Sequence, residues 1–126
     1  KMKSIDSEPP FIILAGDVVA HGLPCPELLQ TTFRKAATEI TKVFPKTSVI
    51  VAVGNIDLHP ANHIELGPDP QLRRIFDAYD AVDWFKTADS AKRTFTKGGY
   101  YTITPVPGLR VIVYNAMYYI LKLKRW

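Results

Sequence analysis

Asp17 follows Gly16 at the end of the apolar run FIILA, and Asn55 follows Gly54 at the end of SVIVAV. An aspartate carboxylate and an asparagine carbonyl are hard oxygen donors, one anionic and one neutral, and both suit a divalent metal. A carboxylate can bridge two cations, and two cations ~3.5 to 4 Å apart clamp a phosphate while polarising a water nucleophile. The same residues have a plainer use, because Gly, Asp and Asn tolerate the left-handed backbone that turns a chain out of a strand. Asp57 is open to both uses, capping the turn or orienting a ligand. His21, four residues past Asp17, and His59 and His63, beyond Asn55, carry imidazoles that can hold or protonate a phosphate. Their alternative is solvated surface.

These residues need elements to hold them. Phe11 to Ala15 follows Pro9-Pro10 and reads as a strand buried on both faces. From Pro26 to Phe44, Leu29, Phe33, Ala36, Ile40 and Val43 recur at three- and four-residue spacing, which is one face of an amphipathic helix that Pro45 stops. Ser48 to Val53 is a second buried strand. Strand, helix, strand is a βαβ unit, whose parallel strands bring Asp17 and Asn55 to one sheet edge, where open α/β sheets collect ligands. Farther on, residues 62 to 69 are loop. Pro70 to Phe85 has helical spacing with a break before Thr87, and Ser90 to Phe95 adds a short helical turn. Tyr100 to Thr104 and Leu109 to Tyr114 form a hairpin around Pro105-Val106-Pro107-Gly108.

With 126 residues, 47% hydrophobic and 22% charged, the chain has the composition of one globular domain or a piece of one. A net charge of +4, scattered except for Lys122, Lys124 and Arg125, gives no nucleic-acid footprint. The single cysteine, Cys25, sits between Pro24 and Pro26 without an activating partner and excludes an intrachain disulfide and a cysteine-based zinc site. No run reaches the ~18 apolar residues that span a membrane, and KMKSIDSEPP lacks both an initiator Met and a signal-peptide apolar region. The expectation is an excerpt of a longer chain or a truncated product.

Three blocks occur in order: GDVVAH at 16 to 21, GNIDLHPAN at 54 to 62, and GGYYTITPVPGLRVIVYN at 98 to 115. Together they resemble the calcineurin-like metallophosphoesterases, in the acid sphingomyelinase-like phosphodiesterase branch. That family has a Gly-Asp block with a later histidine, a Gly-Asn-His block followed by Pro-x-Asn, and a Gly-Gly-aromatic block leading through Pro-Gly-Leu-Arg. The resemblance implies the central part of a β-sandwich flanked by helices, starting with the βαβ unit. It also implies two divalent metal ions, of zinc type, and a phosphodiester or phospholipid headgroup such as sphingomyelin as substrate. Asp17 then looks like the bridging metal ligand, Asn55 like a second ligand, and His21 like the histidine beside the phosphate. His59 and His63 are candidate substrate contacts. A secreted, lysosomal or vacuolar setting is the family's implication.

Two departures stand against this. Position 56, histidine in the family motif, is Ile56, which can neither donate a hydrogen bond nor carry a proton. The family's Asp-x-His, later His and Gly-His-x-His blocks have no counterpart among the three histidines here, and two oxygen donors without imidazole hold zinc poorly. The domain organisation expected is a disordered or linking segment over 1–10, a partial metallophosphoesterase domain over 11–118 and a basic-aromatic tail over 119–126. The functional alternatives are a segment of a sphingomyelin phosphodiesterase-like hydrolase, inactive alone, or a non-catalytic remnant or pseudoenzyme that keeps the fold and phosphate or partner binding. Exposed strand edges would invite self-association.

Overall fold

The computed structural model describes residues 2–22, 25–85 and 90–119. The chain is mixed α/β. A single helical turn, α1 (Met2–Ile5), precedes β1 (Phe11–Leu14). Helix α2 (Pro26–Val43) and strand β2 (Ser48–Val51) follow. β1 and β2 pair in parallel with Phe11 opposite Ser48 and Leu14 opposite Val51. The Ala52 amide donates to the Leu14 carbonyl at 2.8 Å, carrying the pairing one residue further.

Pro26 stands in the first turn of α2, where its missing N–H costs nothing, with Glu27 beside it. Leu29, Phe33 and Ala37 form the buried stripe. β2 buries Val49, Ile50 and Val51, as a strand covered on both faces must. β1 departs from that expectation: Ile12 is buried but Ile13 is 60% exposed. The Ile12 face of β1 is covered, and the opposite face is open at Ile13 while Phe11 packs against the core.

Helix α3 (Pro70–Asp80) starts at Asp69, whose carboxylate accepts the Gln71 amide at 2.7 Å and the Glu65 amide at 3.0 Å. It stops five residues short of Phe85, the end its periodicity predicts. Past it the chain turns through Asp83 at φ 61°, and Trp84 and Phe85 fold back to stack on Tyr79 and Phe76 at centroid distances of 5.0 and 4.6 Å. Those side chains are buried, but by a turn rather than by a helix. The predicted break before Thr87 lies outside the described residues. Helix α4 (Ala91–Gly98) presents Phe95 to the same aromatic cluster.

Strands β3 (Tyr101–Val106) and β4 (Leu109–Val113) make an antiparallel hairpin with an irregularity between Ile103 and Val106. The residues from 120 onward, including Lys122, Lys124 and Arg125, lie outside the described residues. Among the described residues each sheet has two strands.

The seam between the sheets is a tyrosine. The Val51 amide donates to the Tyr101 hydroxyl at 2.8 Å, and that hydroxyl donates to the Val51 carbonyl at 3.0 Å. One phenol thereby satisfies both main-chain groups of a β2 residue, as a neighbouring strand would. Burial pushes the Tyr101 phenol up to about 12, against the opposing pull of the Val51 amide, so the hydroxyl keeps the proton it donates. Tyr101→Phe leaves a buried N–H and a buried C=O without partners, each costing roughly 1–3 kcal/mol. The expected loss of unfolding free energy is about 3 kcal/mol by urea denaturation. A loss under about 1 kcal/mol would show that the seam does not depend on the hydroxyl.

Candidate functional site at the strand ends

The loops leaving β1 and β2 meet at the carboxyl ends of the paired strands. Gly16 and Asp17 both adopt positive φ, 95° and 54°, so the chain leaves β1 in a tight left-handed turn. Main chain packs on main chain here. A Cβ on Gly54 would overlap the Asp17 amide nitrogen and carboxylate, and a Cβ on Gly16 would come within 2.7 Å of the Gly54 Cα. Only glycine at both positions allows this approach.

Two aspartates lock the meeting. Asp57, 4% exposed, accepts the Asp17 and Gly54 amides on Oδ2 and the Val18 amide on Oδ1, each at 2.9 Å. In return Asp17 Oδ1 accepts the Ile56 amide at 3.1 Å. Burial pushes the Asp57 carboxyl above its ordinary value, the three amides pull it back, and the Asp17 charge adds to the rise. Of the two uses open to Asp57, the structure gives turn capping, through Gly54, and extends it across to the other strand end. Both its oxygens are occupied by amides.

Asp17 itself is exposed and Asn55 half-buried. The Asn55 carbonyl accepts the Asn62 amide at 2.9 Å, and its side-chain amide makes no hydrogen bond among the described residues. Asp17 and the backbone beside Asn55 are therefore joined, as the parallel-strand argument requires. Among the described residues no three His, Cys, Asp or Glu side chains group as a metal site. Asp17 and Asn55 offer two oxygens, one from a neutral amide, while Asp57 is turned to three backbone amides. This donor set does not complete a zinc-type centre.

His21 and His59 come to one cavity, of about 240 Å³, with Ile56, Leu58, Leu29 and Ala20 as apolar walls. His63 does not line it. The loop carrying His59 and His63 is pinned by Gln71 at the start of α3: its Oε1 accepts the His59 amide, and its Nε2 donates to the His63 carbonyl at 3.3 Å. The Glu27 carboxyl nearby is held below the usual range by a backbone hydrogen bond, by Cys25 and by the charges of Arg74 and His59. Gln71 escaped sequence reasoning because Asp-Pro-Gln signals only a helix start. Asn115, 3% exposed, sits against Gly99, where its Oδ1 accepts the Met117 amide at 3.0 Å and its Nδ2 has no partner among the described residues.

No family model matches the chain. Among curated proteins, the chain is 32% identical to the acid sphingomyelinase-like phosphodiesterase 3b of Homo sapiens, over 94% of this chain and 26% of that protein. It is 28% identical to the sphingomyelinase phosphodiesterase D of Dictyostelium discoideum, over 98% of this chain and 27% of that protein. It is 32% identical to the endopolyphosphatase of Schizosaccharomyces pombe, over 64% of this chain and 13% of that protein. The chain thus spans about a quarter of the length of the two phosphodiesterases.

Proposed function

The chain is a relative, over about a quarter of their length, of the acid sphingomyelinase-like phosphodiesterases among the calcineurin-like metallophosphoesterases, and on that premise we propose that it is a segment of a phosphodiester hydrolase. The observation that carries this reading is the junction of Asp17 with the Gly54–Asp57 loop at the ends of two parallel strands. Asp17 is the proposed carboxylate ligand and Asn55 the proposed carbonyl ligand of a divalent centre, completed by residues this chain does not carry. His21 takes the phosphate side. The proposed substrate is a phosphodiester such as a phospholipid headgroup. The two small sheets are read as the part of a β-sandwich that bears the site.

In this division of labour Asp57 binds nothing. It holds the two loops so that Asp17 and Asn55 keep their places, and Ile56 gives its backbone amide to Asp17 while its side chain packs against the core. That apolar side chain favours a second reading, a non-catalytic relative retaining the fold and phosphate or partner binding.

Metal titration separates the readings. Substoichiometric Mn²⁺ added to the 126-residue chain is expected to broaden the Asn55 side-chain amide and the Asp17 and Ile56 amide resonances before others, weakly and reversibly, as two oxygen donors dictate. Asp17→Asn should abolish the selectivity. Uniform broadening, or the same pattern in the variant, would remove the metal role and leave the non-catalytic reading.

A further inference from the structure

His21 and His59 reach one cavity from loops that follow different strands. The sequence separation between them and the Gln71 clamp make that meeting a property of the fold and not of local spacing. At the family's histidine position stands Ile56, which forms part of the cavity wall between them in sequence. The cavity is therefore lined by two histidines and otherwise mostly by apolar residues. At about 240 Å³ it is below the range of drug-sized pockets, roughly 300–1,000 Å³. It suits a single phosphate group with short organic substituents.

We propose that His21 and His59 together hold the anionic oxygens of a phosphate diester in this cavity, with a substituent of the diester lying on Ile56 and Leu58. The assignment rests on the phosphodiester reading above and adds His59 to it as a substrate-binding residue. Paired imidazolium donors give charge-assisted hydrogen bonds to an oxyanion. Ile56 then acts as an apolar contact, a role that histidine at this position would not fill. The Gln71 clamp fixes the backbone from which the His59 ring projects, which lowers the entropy lost on binding. His63 lies on the same loop, is held by the same glutamine and does not line the cavity, so it serves as an internal control.

The test is a titration of the 126-residue chain at mildly acidic pH, following the imidazole proton resonances of all three histidines. Diethyl phosphate and inorganic phosphate are the two probes. The expected result is saturable shifts at His21 and His59 with one common dissociation constant, none at His63, and diethyl phosphate binding several-fold tighter than inorganic phosphate. His59→Gln should weaken diethyl phosphate about tenfold, the equivalent of one charge-assisted hydrogen bond, while His63→Gln changes nothing. Shifts confined to His21 would overturn the role of His59 and leave the phosphate-side role of His21 standing. Inorganic phosphate binding as tightly as the diester would overturn the assignment of a diester substituent to the Ile56 wall. No shift at any histidine would overturn this pocket and, with it, the phosphate-side role of His21.

Discussion

Gly54→Ala is expected to lower unfolding free energy by about 4 kcal/mol, a large part of the roughly 5–15 kcal/mol that holds a domain folded. The added methyl meets the main chain and carboxylate of Asp17, and main chain cannot rotate away as a flexible side chain can. Ordinary overpacking costs about 1–3 kcal/mol. Here relief requires the two loops to separate, which also breaks the bonds from Asp57 to the Asp17 and Val18 amides. Urea denaturation measures the loss, and the amide resonances of Asp17, Val18 and Ile56 should all move. A loss under about 1 kcal/mol, with those resonances in place, would refute the close packing described at the strand ends.

Removing the Asp57 carboxylate should do comparable damage by a different route. Asp57→Ala deprives three amides of their acceptor. Hydrogen bonds to charged groups are worth about 1.5–3 kcal/mol each, but they share one side chain and do not add in full, so the expected loss is about 4 kcal/mol. Asp57→Asn keeps the shape. One of its two ends must present NH₂ to an amide, and the cheaper choice is the end facing Val18 alone, so about 2 kcal/mol is expected. The pH dependence follows from burial, which raises the Asp57 carboxyl above its ordinary 3.8 despite the three amides. A carboxyl that binds its proton more tightly in the folded than in the unfolded state adds stability in acid, and that part is lost as pH rises from about 4 through the folded value. Asparagine has no such proton. The stability gap between the native chain and Asp57→Asn should therefore narrow as pH rises above about 4, and a gap that widens as pH rises would contradict the raised value.

Elements whose signals are local were legible in the sequence. The apolar runs gave β1 and β2, the three-and-four spacing with its flanking prolines gave α2, and two alternating runs around Pro-Val-Pro-Gly gave the hairpin. The end of α3 was misplaced for a physical reason: Val82, Trp84 and Phe85 continue the helical period because they are buried or partly buried, and periodicity reports burial without saying that a turn at Asp83 delivers it. β1 reads as doubly buried from composition, yet Ile13 faces outward, since nothing in four residues tells what covers each face. Convergence of Asp17 with the Asn55 loop was readable from parallel pairing. What locks it was not, because Asp57 finds two of its donors 39 and 40 positions away, and Tyr101 finds Val51 at a separation of 50. The gathering of His21 and His59, with His63 left aside, depends on Gln71, whose reach has no local signature.

The distance along the chain that Asp57 spans also sets when the site can come into being. The β3–β4 hairpin joins neighbours across a short turn, and closures of that kind take about 1–10 μs. Asp57 can meet the Asp17 and Val18 amides only after β1 and β2 have found each other across the whole of α2, a closure whose entropic cost must be met before any contact rewards it. Helices and hairpin can therefore be in place while the strand-end loops are still apart. A chain slowed at that step would hold its helices and hairpin and lack both the β1–β2 pairing and the site.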